Sequence, residues 1–300
     1  MLIGAHCGGG VKGALDKAVE IGADAVQLFT QSPRAWKPPA PNPELYEAFR
    51  ARREATSMGA VLCHAIYLVN LAAPNDEVYE KSVAAMRSTM EIACAIEADG
   101  VVFHVGSHLG SGFQHGLERV LPAMEQVLER CSERTWLLME NSAGAGGTIG
   151  RSIEELATLF EKLDRHPRLG VCLDSCHLYV SGCDVTDPHA VAAVLAELDD
   201  AVGLDRLRCL HVNDSKSALG SNSDRHDNIL DGVMGEGLGA FLAHPKVQGL
   251  PAILEVPGAD DKGPNADEIR KTRELLARWT TSPSAEIPAR AGAKRPPLGP

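Results

Sequence analysis

Short apolar runs alternate with longer amphipathic segments along almost the whole chain. The runs fall at residues 2–5, 25–29, 60–63, 100–103, 136–139, 169–173, 207–210 and 252–254. Between them, helical patterns occupy 14–21, 43–57, 76–96, 116–130, 152–163, 188–202, 239–243 and 266–279. The clearest helix carries Val83, Met86, Met90, Ala93 and Ile96 on one face, the spacing of a 3.6-residue period. Eight strands, each followed by a helix, predict a TIM (β/α)8 barrel with its active site at the C-terminal ends of the strands. An open doubly wound sheet would show fewer strands.

Composition refines this picture in three ways. The chain has 300 residues, 44% of them hydrophobic, which is enough for one large barrel domain over residues 1–279. Residues 280–300 change character: five prolines and three basic residues with almost nothing large and apolar predict a disordered tail. The formal charge of −11 argues against a general polyanion binder, an argument that weakens if some acids hold metal ions. The eight cysteines are scattered with no CxxC pair, and Cys63, Cys172 and Cys209 sit inside apolar runs. They read as small reduced core residues. The opening MLIGAHCGGG lacks a basic region followed by an apolar one, so a cytoplasmic location is expected. No apolar run approaches the roughly 18 residues of a membrane span.

The chemistry lies where the apolar runs end. The next residues are His64, His104, Glu140, Asp174, His211 and Glu255, from six successive strands. One such residue reads as a helix cap or a loop hydrogen bond. Six in one register, at the end where barrel active sites form, predict a metal centre. Loops extend the set: in DSCHLYVSGCD, His177 follows Asp174 by three residues, and the polar stretch HVNDSKSALGSNSDRH ends on Asp224 and His226. Zinc takes about four ligands, or three in an open catalytic site, so nine candidates suit two or three ions with a bridging carboxylate. Ions a few ångströms apart are the usual apparatus for phosphodiester cleavage. Imidazole ligands favour zinc over magnesium, with manganese or iron as substitutes. His6 and His108, near the expected mouth, are read as groups that orient ligands.

These motifs resemble the endonuclease IV type of apurinic/apyrimidinic (AP) endonuclease. GAHCGGG, QLFTQSPRAW, CHAIYLVNLAAP, FHVGSHLG, MENSAGAG and LEVPG match it, and LDSCHLYVSGCD and HVNDSKSALGSNSDRH are the most specific. The resemblance spans residues 1–279 and implies a trinuclear zinc site. His64 and His104 would hold one ion, with Glu140 bridging to a second completed by Asp174, His211 and Glu255. His177, Asp224 and His226 would hold the third. It further implies cleavage of double-stranded DNA 5′ to abasic sites, giving a 3′-hydroxyl and a 5′-deoxyribose phosphate. Trimming of blocked 3′ ends and a monomeric state are implied as well. Glu140 would be the catalytic residue, beside the attacking water.

Arg34, Tyr67 and Leu68 match the side chains with which the family keeps the abasic nucleotide extruded. An abasic nucleotide lacks stacking and flips at less cost, and an aromatic or apolar wedge fills the gap. Ordinary loop packing competes with that role for Tyr67 and Leu68. Arg225 is expected to touch DNA, with Lys37, Lys216 and Lys262 as further basic residues near the mouth.

The chain departs from the family pattern at LDGVM (230–234), an apparent insertion, and at Val105 and Val256, where Pro and Thr are usual. None of these removes a ligand. Two other readings stand beside the nuclease. A sugar isomerase or epimerase on the same barrel would use one ion on residues like Glu140, Asp174, His211 and Glu255, with no need for His177, Asp224 and His226. A DNA-damage binder without chemistry would keep the wedge and lose ligands.

Overall fold

The computed structural model describes residues 1–281. Eight parallel strands close a barrel in the order β1-β10-β7-β6-β5-β4-β3-β2. They are β1 (Leu2–His6), β2 (Ala25–Phe29), β3 (Ala60–His64), β4 (Gly100–His104), β5 (Trp136–Glu140), β6 (Leu169–Asp174), β7 (Leu207–His211) and β10 (Pro251–Leu254). The two-residue strands β8 (Asp214–Ser215) and β9 (His226–Asp227) form a separate antiparallel ribbon. The helices are α1 (Gly10–Glu20), α2 (Pro43–Thr56), α3 (Asp76–Ala95), α4 (Phe113–Leu128), α5 (Ile153–Lys162), α6 (Ser175–Val180), α7 (Pro188–Ala201), α8 (Gly239–Leu242) and α9 (Ala266–Thr281). The expected tail lies outside the described residues apart from its first two positions.

Helix starts follow local chemistry. Asn42, Asn75 and Ser152 accept hydrogen bonds from the amides of Leu45, Val78 and Glu155, capping α2, α3 and α5. Helix α1 begins four residues before its apolar period does. Gly9, at φ 100°, turns the chain directly out of the glycine-rich segment into the helix. Gly8, Gly10 and Gly13 have the GxGxxG spacing of a nucleotide-binding turn, but the strand before them is paired on both sides in a closed barrel.

Strand residues alternate between two cores. The outward set, including Val61, Val101, Phe103, Leu137, Met139 and Val171, is buried in one cluster with Met86, Met90, Leu117, Met124, Leu156 and Phe160 from the surrounding helices. The inward set fills the barrel with Ala25, Ala60, Leu62, Val102, Leu138, Cys172, Cys209 and Ile253. Each fully buried Leu or Ile contributes roughly 1.5–3 kcal/mol of apolar transfer. Space inside is tight: a Cβ on Gly4 would lie 2.6 Å from both Ile253 Cδ1 and the Ala25 carbonyl oxygen.

Six of these strands run one residue past their apolar runs. His6, His64, His104, Glu140, Asp174 and His211 are therefore the last residues of β1 and β3–β7. They keep the inward parity of the apolar layer two residues below, so the strand geometry turns their side chains into the barrel mouth. All eight cysteines are free thiols. No helix among the described residues is long and apolar enough to cross a membrane.

Candidate metal centre

Glu140 sits at the middle of the mouth with no solvent exposure. Its Oε2 lies 3.3 Å from His64 Nε2 and 3.6 Å from His104 Nε2. Its Oε1 lies 3.0 Å from His211 Nδ1 and 3.2 Å from His177 Nδ1. One carboxylate thus faces two sets of imidazoles. Donor atoms gather in three overlapping groups, each within 4.8 Å: His64, His104 and Glu140; Glu140, Asp174, His211 and Glu255; Asp174, His177 and His226. Asp224 joins the last group, with Oδ2 3.2 Å from His177 Nε2 and Oδ1 3.2 Å from His226 Nε2. The structure therefore brings all nine side chains named from the sequence to one place. Six of them, His64, His104, His177, Asp224, His226 and Glu255, line a cavity of about 440 Å³, and Glu140, Asp174 and His211 lie buried behind them.

Neighbouring groups orient these donors. Assigned from its hydrogen-bond partners, each of three rings has one nitrogen committed: His64 Nδ1 donates to the Ala65 carbonyl at 2.7 Å and His177 Nδ1 to the Asn141 carbonyl at 2.9 Å. His211 Nε2 donates to Gln27 Oε1 at 2.9 Å. Their remaining nitrogens point at the carboxylates and, once deprotonated, would offer a lone pair to an ion. Among the carboxylates, Asp174 accepts from the His177 amide and from Asn213 Nδ2, both at 2.7 Å. Glu255 Oε1 accepts from Gln27 Nε2 at 2.6 Å and lies 3.1 Å from His6 Nδ1.

His6 thus touches one of the candidate donors, Glu255, whereas the His108 ring touches none of them. The His108 Nδ1 accepts from the Gly110 and Gly112 amides and holds its own loop instead. Gln27, Asn141 and Asn213, which hydrogen-bond the candidate donors, lie outside the strand-end pattern. Gln27 had a signal: it is the polar residue in the apolar run AVQLF, at inward parity.

The electrostatics call for positive charge. Burial opposes ionisation of Glu140, but His104, His211 and His177 hold its carboxyl well below the ordinary value. Burial likewise opposes ionisation of Glu255, which His211, His6 and His64 keep ionised. In turn, burial would strip protons from His177 and His211, yet the carboxylates around them raise both well above the usual imidazole range. His226, desolvated but beside Asp224 and Asp174, is pushed up to about 9. Protons on these rings stand where divalent cations would.

The donor set fits such ions. Imidazole and carboxylate are zinc-type ligands. His226 Nε2 is buried without a hydrogen bond of good geometry, and faces Asp224 and Asp174. Thiols also lie close, Cys172 and Cys209 by His211 and Cys176 by Asp224. Burial raises the Cys172 thiol well above its ordinary value and Cys176 to about 12, which disfavours the thiolate needed for ligation.

A family model described as a xylose isomerase-like TIM barrel matches residues 15–279. The probable endonuclease 4 of Methanoculleus marisnigri is 39% identical over 279 residues, covering 92% of this chain and 99% of that one. The crystal structure of endonuclease IV from Thermus thermophilus superposes with a TM-score of 0.82 at 38% identity, over 93% of this chain and 100% of that one. The chain belongs to the endonuclease IV family. A D-tagatose 3-epimerase-like protein, with a TM-score of 0.68 and 18% identity over 93% of this chain and 97% of that one, shares the fold alone.

On this endonuclease IV family member the rim of the cavity is part aromatic and part basic. Tyr67 is 64% exposed and meets Phe29 edge-on, with ring centroids 5.1 Å apart. Tyr67, Lys216 and Arg225 line the cavity beside the donors. Arg34 is exposed in the loop after β2, and its charge acts on the Tyr67 phenol, opposing the upward push of burial. Leu68 is half-buried and packs on the outer core, leaving Tyr67 as the prominent side chain of that pair. Lys262 pairs with Asp260 at 3.2 Å.

Proposed function

We propose that this chain is a zinc-dependent AP endonuclease of DNA base-excision repair. It cuts the phosphodiester 5′ to an abasic site, leaving a 3′-hydroxyl and a 5′-deoxyribose phosphate, and trims blocked 3′ ends. The observation that carries the reading is the group His177, Asp224 and His226, placed against Glu140 and Asp174. A sugar epimerase on this barrel has use for Glu140, Asp174, His211 and Glu255 alone. The additional group gives room for three ions, the arrangement suited to a phosphodiester.

In this reading His64, His104 and Glu140 would hold one zinc ion, Glu140, Asp174, His211 and Glu255 a second, and His177, Asp224 and His226 a third. Manganese or iron can substitute. Bound ions would supply water activation and charge neutralisation at the phosphate and the leaving oxygen. The chain's own residues do the rest. Glu140, held between two sets of rings, fixes the position of the attacking water. Gln27 and Asn213 keep Glu255 and Asp174 facing inward. Tyr67 and Leu68 fill the stack left by the extruded nucleotide, while Arg34 and Arg225 bind backbone phosphates. The protein acts as a monomer on double-stranded DNA in the cytoplasm, at the nucleoid if bacterial.

Metal analysis tests the reading. Purified protein loaded with zinc and desalted is expected to hold close to three ions per chain. One ion per chain, with no incision of abasic DNA, would instead favour the sugar enzyme.

A further inference from the structure

Asp224 and His226 sit at the end of a stretch that has little structure of its own. Asn222 and Gly220 take left-handed backbone conformations, and the Asp224 side chain is 49% exposed. Yet both side chains meet His177 or Asp174 at defined distances, so something must hold the stretch in place.

Two sets of contacts do so. On one side, the amides of Gly220 and Asn222 donate to the Tyr179 and Val180 carbonyls at 3.2 and 2.8 Å, tying the stretch to α6, which carries His177. On the other, β8 pairs with β9, and the Lys216 amide donates to the Arg225 carbonyl at 2.8 Å. Strand β8 is in turn wrapped by residues 230–235, which include the LDGVM segment. The fully buried Asp214 carboxylate takes four amides: Ser215 and Met234 on Oδ1 at 2.8 and 3.0 Å, Gly232 and Gly235 on Oδ2 at 3.2 and 3.0 Å. The Val233 amide adds a bond to the Ser215 carbonyl at 2.8 Å. Gly232 approaches so closely that a Cβ there would lie 2.4 Å from Asp214 Oδ1.

We propose that Asp214 is a positioning residue for the third metal group: through its bonds to the amides of Gly232, Met234 and Gly235 it locks residues 230–235 onto the ribbon and thereby fixes Asp224 and His226. The inserted segment then supports the third site without displacing it. This inference rests on the three-ion reading above. A buried carboxylate accepting four N–H groups cannot be replaced by an amide, because one end of an amide would present donors to donors. Neither Asp214 nor Gly232 is among the nine candidate ligands, so the other two groups keep all their donors when either is changed.

The test is a graded chelator titration of zinc-loaded protein, followed by a metal count at each step and by circular dichroism. Asp214→Asn and Gly232→Ala attack the same contact from opposite sides. Both are expected to lose one ion at a chelator strength at least tenfold lower than wild type, while the other two ions leave where they do in wild type. Unchanged loss of all three ions in Gly232→Ala, or simultaneous loss of all three in both folded variants, overturns the proposal. If Asp214→Asn fails to fold, Gly232→Ala alone decides. A wild-type count other than three contradicts the three-ion reading itself, and is seen before either variant is made.

Discussion

Two layers of the same barrel, two residues apart on the same strands, do opposite jobs. The lower layer (Leu62, Val102, Leu138, Cys172, Cys209, Ile253) is closely packed and apolar. The upper layer (His64, His104, Glu140, Asp174, His211, Glu255) consists of buried or half-buried imidazoles and carboxylates brought into mutual reach. Strand parity makes both layers face inward, and burial is similar in each. What separates them is which free energy burial supplies. Below, it is packing; above, it is the raised cost of an uncompensated charge, which would favour a bound cation. On the proposed reading the fold is carried by the first layer and the chemistry by the second, so substitutions should divide the two.

The largest effect is expected from Glu140→Gln. It keeps the shape of a side chain that faces four imidazoles while removing its charge, so incision should fall by about a thousandfold or more with little loss of barrel stability. Single-turnover incision together with thermal unfolding checks this. A variant that loses stability but retains the rate would break the division between layers.

Leu138→Ala makes the reciprocal cut. Leu138 fills the barrel so closely that a Cβ on Gly100 or Gly170 would meet its methyl carbons at 2.7 and 2.8 Å. The substitution should cost about 2–5 kcal/mol in denaturant unfolding and leave the zinc count of the folded protein unchanged. Lost zinc at full folding would join the layers that the account separates.

Gln27→Leu tests the seam between the layers. Gln27 is fully buried, supports His211 through one atom and Glu255 through another, and is not itself a candidate ligand. Zinc affinity, measured by competition with a coloured chelator, should drop roughly 10–100-fold. An unchanged affinity would mean that these donors are oriented by the backbone alone.

Proton competition gives a smaller, graded effect. In the ion-free protein His177, His211 and His226 have raised values, His226 to about 9. Metal must displace those protons, so affinity should rise as pH climbs towards about 9 and weaken on acidification. Calorimetry in buffers of different ionisation enthalpy would register the released protons, and no release would contradict the assigned charge state. Smallest of all, Arg225→Ala at the rim should weaken duplex binding and lower the salt slope by about one, with no change in zinc content.

Much of the upper layer was legible because a strand writes its geometry into sequence with a period of two. His64, Glu140 and His211 could be aligned from the ends of apolar runs without coordinates. Gln27 was legible by the same logic but hidden inside its run. Helix α6 was not, since SCHLYV is too short to display a helical period. Nor was the role proposed for Asp214, three of whose partners are backbone amides 18–21 residues away that any residue but proline could supply. Side-chain patterns reveal well which donor groups converge and reveal backbone clamps hardly at all. His108 shows the converse: a histidine in a promising motif whose ring accepts from amides of its own loop.

The central claim is that the upper layer, extended by His177, Asp224 and His226, cuts DNA at abasic sites. Its most direct test is incision of a duplex carrying one abasic analogue at saturating zinc, with and without chelator. The account predicts a single nick 5′ to the analogue that leaves a 3′-hydroxyl and disappears when zinc is removed. Tight binding of that duplex with no nick at saturating zinc would contradict it.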